Sequence, residues 1–133
     1  MFERILLAVD GSDHSKKAVE AAAEMARNAD GQVHVIHVHE VGAIAPIETP
    51  VEAAELVNGV VDELLRAGVK ADGSASSART GRAAPAILEA AKTLDVGIIV
   101  MGTRGLSDFS ALLMGSMAHK VIHHAECPVL LVR

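Results

Sequence analysis

A chain of 133 residues, half of them apolar, holds enough material for one domain built around one sizeable core. Twelve basic side chains against 17 acidic ones leave a formal charge of -5, with no run of Lys or Arg that could track a phosphate backbone. There is no Trp or Tyr and only two Phe, so the aromatic platforms on which exposed bases stack are missing, and nucleic acid is not an expected partner. No stretch has the length needed to cross a bilayer, so no membrane partner is expected either. The opening MFERILLAVDGSD has an apolar core too short for a secretory signal and turns polar without a small-residue cleavage site. With Cys127 the lone cysteine, a cytoplasmic location is the expectation, and Cys127 itself reads as a small core hydrophobe.

In chain order, ILLAV from Ile5 to Val9 is a continuous apolar run of the kind found in strands buried on both faces, and it ends at Asp10. DGSDHS then supplies turn and N-cap residues. Ala18, Val19, Ala22, Met25, Ala26 and Ala29 recur at helical spacing until Gly31 provides a stop. VHVIHV, Val33 to Val38, predicts a second strand, and Val41 to Pro50, with two prolines, a loop. Ala53, Val57, Val60, Val61, Leu64 and Leu65 mark a second helix ending near Gly68. VKADGSASSA alternates apolar and small polar residues from Val69 and reads as an edge strand.

Pro85 suits the first turn of a third helix carrying Ile87, Ala90, Ala91 and Leu94. Val96 to Met101 predicts a strand rich in β-branched residues. A long loop with Gly102, Gly105 and Gly115 follows, then a helix around Met117 to His124 with Ala118, Val121 and Ile122 facing inward, and the final strand PVLLV. This strand–helix alternation specifies a parallel sheet with helices on both faces, whose ligands bind beyond the carboxyl ends of the strands where the strand order reverses. Asp10 and Gly102 each stand just past such an end.

Glycines directly after a strand let a ligand approach the main chain, and loop N–H groups with those of a following helix make an anion site. A set of plain turns is the alternative. Ser116, immediately before the last helix, can cap it and also donate to a phosphate oxygen. No G-x-x-x-x-G-K-[ST] is present and no G-x-G-x-x-G follows the first strand, which excludes P-loop and dinucleotide readings. What remains is G-x2-G-x9-G-S at Gly102, Gly105, Gly115 and Ser116.

With that spacing, with RILLAVDGSDHS at one end, VHVIHV and VGIIVMGTRG between, and CPVLLVR at the other, the chain resembles the universal stress proteins, specifically their ATP-binding branch with the signature G-x2-G-x9-G-[ST]. The resemblance covers nearly the whole chain. It implies a three-layer α/β/α sandwich, a five-stranded parallel sheet in the order 3-2-1-4-5, with the Rossmann-like fold of the adenine nucleotide alpha hydrolases, as one domain over 1–133. It further implies that Ala8, Val9 and Asp10 border the adenosine, with Asp10 near the ribose, that the main chain of Val38 reads the adenine edge, and that Met101 packs against the base. The backbone of Gly102, Thr103, Arg104 and Gly105 and that of Gly115, Ser116 and Met117 would hold the phosphates of ATP, with Mg²⁺ carried by the phosphates. The segment between the second strand and second helix is shorter than many family members carry.

Other readings stand beside these. Asp10 could cap the first helix, although Ser12 and Asp13 are equally good caps, and Arg104 could be a phosphate partner or a solvated charge. His37 and His39 share a strand face, and His119 and His123 are spaced i, i+4, but neither pair has a third ligand at a recognisable spacing, so no dedicated metal site is expected. No Ser-His-Asp order, paired carboxylates or general base can be named, which favours a nucleotide-binding regulator over an ATPase. A dimeric interaction module of the same fold that binds no nucleotide is the alternative. Val129 to Val132 are consecutive apolar residues followed only by Arg133, poor protection for a free sheet edge, so a homodimer through the last strand is expected, as the resemblance also implies.

Overall fold

The computed structural model describes residues 1–42, 48–103 and 115–133. Strand and helix alternate through β1 (Arg4–Ala8), α1 (Asp13–Ala29), β2 (Gln32–Val41), α2 (Pro50–Arg66), β3 (Lys70–Arg79), α3 (Ala83–Thr93), β4 (Ile98–Gly102), α4 (Ser116–His124) and β5 (Val129–Val132). The five strands form one sheet in the order β3-β2-β1-β4-β5 with every pairing parallel, the order that the resemblance implied. The register sets Ala8 beside both Ile36 and Met101, so β1 and β4 end at nearly the same level while β2 runs on to Val41.

β1 and β4 are apolar runs because both faces are covered, and β2 interleaves histidines with its buried valines and isoleucine. Ile5, Leu7, Val9, Val33, Val35, Ile98 and Val100 pack with α1 and α2 in one core layer, while Leu6, Ala8, Ile36, Val38, Ile99 and Met101 pack with α3 and α4 in the other. In α1 the inward face is mostly alanine, Ala18, Ala22 and Ala26, which lets the helix lie close to the strands. Its stop differs from the sequence reading. Asp30, with φ 49°, is the left-handed residue that ends the helix, and Gly31 follows it, donating its N–H to Ala26 O at 2.8 Å.

A capping box starts α2. Thr49 Oγ1 accepts from Glu52 N at 3.1 Å, Glu52 Oε2 accepts from Thr49 N at 2.8 Å, and Pro50 occupies the first turn. Leu65, assigned to the apolar stripe from its spacing, is half exposed. Ile122 is likewise turned outward, 41 % exposed, against the inward placement expected of it. Ala118 and Val121 define the contact line of α4, and at 100° per residue Ile122 falls at its margin. No helix among the described residues is long and apolar enough to cross a membrane.

The edge strand β3 is paired along its whole length with β2 and lies beneath α2. Gly73 makes that approach possible: a Cβ there would stand 2.5 Å from Val57 Cγ1 and 2.9 Å from Val35 O. The main-chain oxygen cannot move aside without disturbing the sheet. Gly73→Ala is therefore expected to destabilise the fold by about 1–3 kcal/mol, the usual cost of overpacking, read as a lower urea midpoint at unchanged slope.

Candidate functional site

The strand order reverses at β1, which has β2 on one side and β4 on the other. Val9 N donates to Ile36 O at 3.0 Å as the last rung between β1 and β2, after which β1 leaves the sheet while β2 continues to Val41. Main-chain groups of a strand alternate in direction, so those of Val38 turn to the same side as those of Ile36, where β1 has already ended. Among the described residues β1 offers them no partner there. The side chains of Ala8, Val38 and Met101 lie in the α3/α4 core layer, all buried.

The turn from β1 to α1 follows directly on Val9. Asp10 is not the cap of α1. Ser12 is, its Oγ accepting from Ser15 N at 3.2 Å, while Asp10 Oδ1 accepts from Ser12 N at 2.9 Å and Asp10 N donates to Ser15 Oγ at 3.2 Å. The second carboxylate oxygen of Asp10 takes no hydrogen bond from any described residue.

Gly102 has a structural reason of its own. A Cβ at this position would lie 2.8 Å from His14 Cβ and 3.0 Å from the carbonyl carbon of His14, so the glycine lets the first turn of α1 rest on the end of β4. Next to it, Thr103 Oγ1 is 3.2 Å from His14 Nδ1. Thr103 N donates to Val132 O at 3.0 Å, and Gly115 N donates to Thr103 O at 2.7 Å. The two ends of the glycine loop are thus hydrogen-bonded together, although Arg104 and Gly105, both assigned to phosphate from the motif, lie outside the described residues.

Gly115 and Ser116 also differ from their sequence reading. Ser116 is the first residue of α4, and Gly115 occupies the cap position without a side-chain cap. Gly115 has φ −59° and ψ 151°, angles open to any residue, so its role is not a special backbone conformation. It is buried. His119 N donates to Gly115 O at 2.9 Å, and the N–H groups of Ser116, Met117 and Ala118 precede this first helical bond. Ser116 and Met117, with Lys120 on the next turn, line a cleft of about 170 Å³ shared with Glu40 at the end of β2 and with Thr80 and Gly81 after β3. Gly81 N donates to Glu40 Oε2, and Lys120 Nζ donates to Gly81 O at 3.4 Å, so the cleft has one wall of each charge.

His37 and Glu48 are the polar residues that sequence reasoning did not connect to this region. The His37 side chain is 7 % exposed, its Nδ1 2.7 Å from Val9 O and its Nε2 2.8 Å from Glu48 Oε2. Both ring nitrogens are thus engaged with oxygens. Neither nitrogen is left for a metal, and His39, its ring 6.3 Å away, keeps a buried Nδ1 with no hydrogen-bond partner among the described residues. The only signal in the sequence was that His37 is one of three histidines, with His34 and His39, in β2. A second unforeseen network joins His34 Nδ1 to Asp72 Oδ1 at 2.7 Å and His34 Nε2 to Ser74 Oγ at 3.1 Å. It lies toward the amino ends of β2 and β3, on the exposed edge, and none of the three lines the cleft.

This geometry agrees with comparisons to known proteins. The family model described as universal stress protein family matches residues 1–133. A universal stress protein of Thermus aquaticus is 38% identical over 142 residues, which cover 100% of each chain. A solved universal stress protein from Archaeoglobus fulgidus superimposes with a TM-score of 0.82 at 29% identity, covering 100% of both chains. Another, the universal stress protein from Archaeoglobus fulgidus in complex with dAMP, gives 0.78 at 25% identity over 100% of this chain and 98% of its own. The chain belongs to the universal stress protein family.

Cys127, half-buried against the α3/α4 layer, is not an activated thiol. Burial pushes its thiol up from the ordinary value, an effect that main-chain hydrogen bonds offset only in part. A raised pKa lowers the thiolate fraction at any given pH, so the alkylation profile moves to higher pH. Iodoacetamide at mildly alkaline pH is expected to modify Cys127 more slowly in the native chain than in the urea-unfolded chain, a difference to be followed by intact mass.

Proposed function

We propose that the chain binds an adenine nucleotide, ATP accompanied by Mg²⁺, in the crevice at the carboxyl ends of β1 and β4, and acts as a regulator whose partners read the bound state. The observation that carries this reading is the bond from Gly115 N to Thr103 O. It sets the start of α4, whose first N–H groups have no partner within the helix, beside the end of β4, adjacent to the Asp10 turn across the strand-order reversal. In this reading Ala8, Val9 and Asp10 border the adenosine, the free oxygen of Asp10 takes a ribose hydroxyl, the main chain of Val38 meets the adenine edge, and Met101 lies under the base. The phosphates take Gly102, Thr103, Arg104 and Gly105 on one side and Gly115, Ser116 and Met117 on the other. Mg²⁺ would neutralise phosphate charge, held by phosphate oxygens and water. No residue is given a catalytic role. The dAMP complex of the Archaeoglobus fulgidus relative supports an adenine nucleotide as the ligand class.

Mass spectrometry of nucleotide released on denaturation tests the reading directly. Mg-ATP at a hundredfold excess over Kd should stabilise the fold by about 2.7 kcal/mol, seen as a higher Tm. Ser116→Ala is expected to lose about ten- to a hundredfold in affinity, one hydrogen bond to a charged acceptor. Gly115→Val should remove binding by filling space at a buried position, with the fold retained to within about 1–3 kcal/mol. Absence of any adenine nucleotide, together with an unchanged Tm in millimolar Mg-ATP, would establish the alternative, an interaction module that binds none.

The homodimer belongs to the same proposal. All four residues of β5, from Val129 to Val132, remain partly exposed on an outer strand of the sheet. Pairing with the same strand of a second copy would cover them. Light scattering at micromolar protein is expected to give twice the chain mass, and a monomeric mass would reject the pairing.

A further inference from the structure

The exposed face of α4 carries a second grouping of side chains, independent of nucleotide binding. His119 and His123 are one helical turn apart, both exposed, opposite the buried Ala118 and Val121. Their Nε2 atoms are 3.2 Å apart, and the rings stand 4.4 Å apart at 56°. Two neutral imidazoles can hold one hydrogen between them at this distance. The distance also has a second meaning, since two imidazole nitrogens bound tetrahedrally to Zn²⁺ at 2.0–2.1 Å lie about 3.3 Å from one another. The helix backbone already sets the two side chains at that bite, so chelation needs no change in main-chain conformation.

We propose that His119 and His123 form a bidentate site on α4 for a divalent transition metal of the zinc class, with water completing the coordination. Among the described residues no group of three or more metal-ligating side chains occurs, so the site is open and not a closed structural centre. Imidazole donors suit Zn²⁺, Ni²⁺, Co²⁺ and Cu²⁺, whereas Mg²⁺ and Ca²⁺ seek oxygen, which separates this site from the Mg²⁺ assigned to the nucleotide. His124 stands 100° around the helix from His123, its ring 6.5 Å away, and is not a ligand. Because His119 N is bonded to Gly115 O, a metal here braces the first two turns of α4, the part that carries Ser116 and Met117.

The test titrates ZnCl₂ and NiCl₂ by calorimetry into the full chain, freed of nucleotide, in a non-chelating buffer. One metal ion per chain is expected, and MgCl₂ should give no binding heat. His119→Gln and His123→Gln should each weaken Zn²⁺ binding by at least about tenfold, no less than the loss of an outer-sphere partner usually costs. His124→Gln should leave it unchanged. All three positions are exposed, and an unchanged metal-free Tm verifies that each variant is folded. The assignment is overturned by absence of Zn²⁺ binding, by binding that survives either of the first two substitutions, or by an equal loss in His124→Gln.

Discussion

The main chain of Val9 is the point on which the crevice depends. A strand that leaves a sheet while its neighbour continues must find partners for its last buried peptide groups, or lose about 1–3 kcal/mol for each one left unpaired. Val9 finds both: its N–H bonds to Ile36 O and its carbonyl is met by the buried ring of His37. His37 is held from its other side by Glu48, just ahead of α2. A buried histidine of β2 therefore anchors the departure of β1. Beyond it the main chain of Val38 has no partner from β1, and Asp10 opens the turn into α1.

The glycines of the loop divide their work between the protein and what it would hold. Gly102 lets α1 rest on β4, a contact that exists without any ligand. Gly115 has ordinary angles and a buried position, and the case for a glycine there rests on the ligand it would border. A spacing motif records both kinds of requirement without distinguishing them, which is why its glycines read as a ligand cradle from sequence alone.

How much was legible follows from the range of the interactions. ILLAV, VHVIHV and VGIIVM are strands because each is buried on both faces, a local property visible in composition. Strand–helix alternation indicated parallel pairing, but the order of the strands is non-local and came only with the resemblance. Periodicity located the stripe of each helix without its width, hence the outward Ile122 and Leu65. The cap of α4 moved by one residue, from Ser116 to Gly115, within the usual reach of a boundary read from sequence. Contacts such as His37 with Glu48 and Thr103 with Gly115 join positions that no local pattern relates.

The bonds of Thr103 to Gly115 and to Val132 give the end of β4, the start of α4 and the outer strand β5 one common main-chain anchor. A displacement of the first turn of α4 would therefore reach β5 through a single residue. The strand proposed to meet a second copy is in this way two hydrogen bonds from the helix start proposed to meet phosphate.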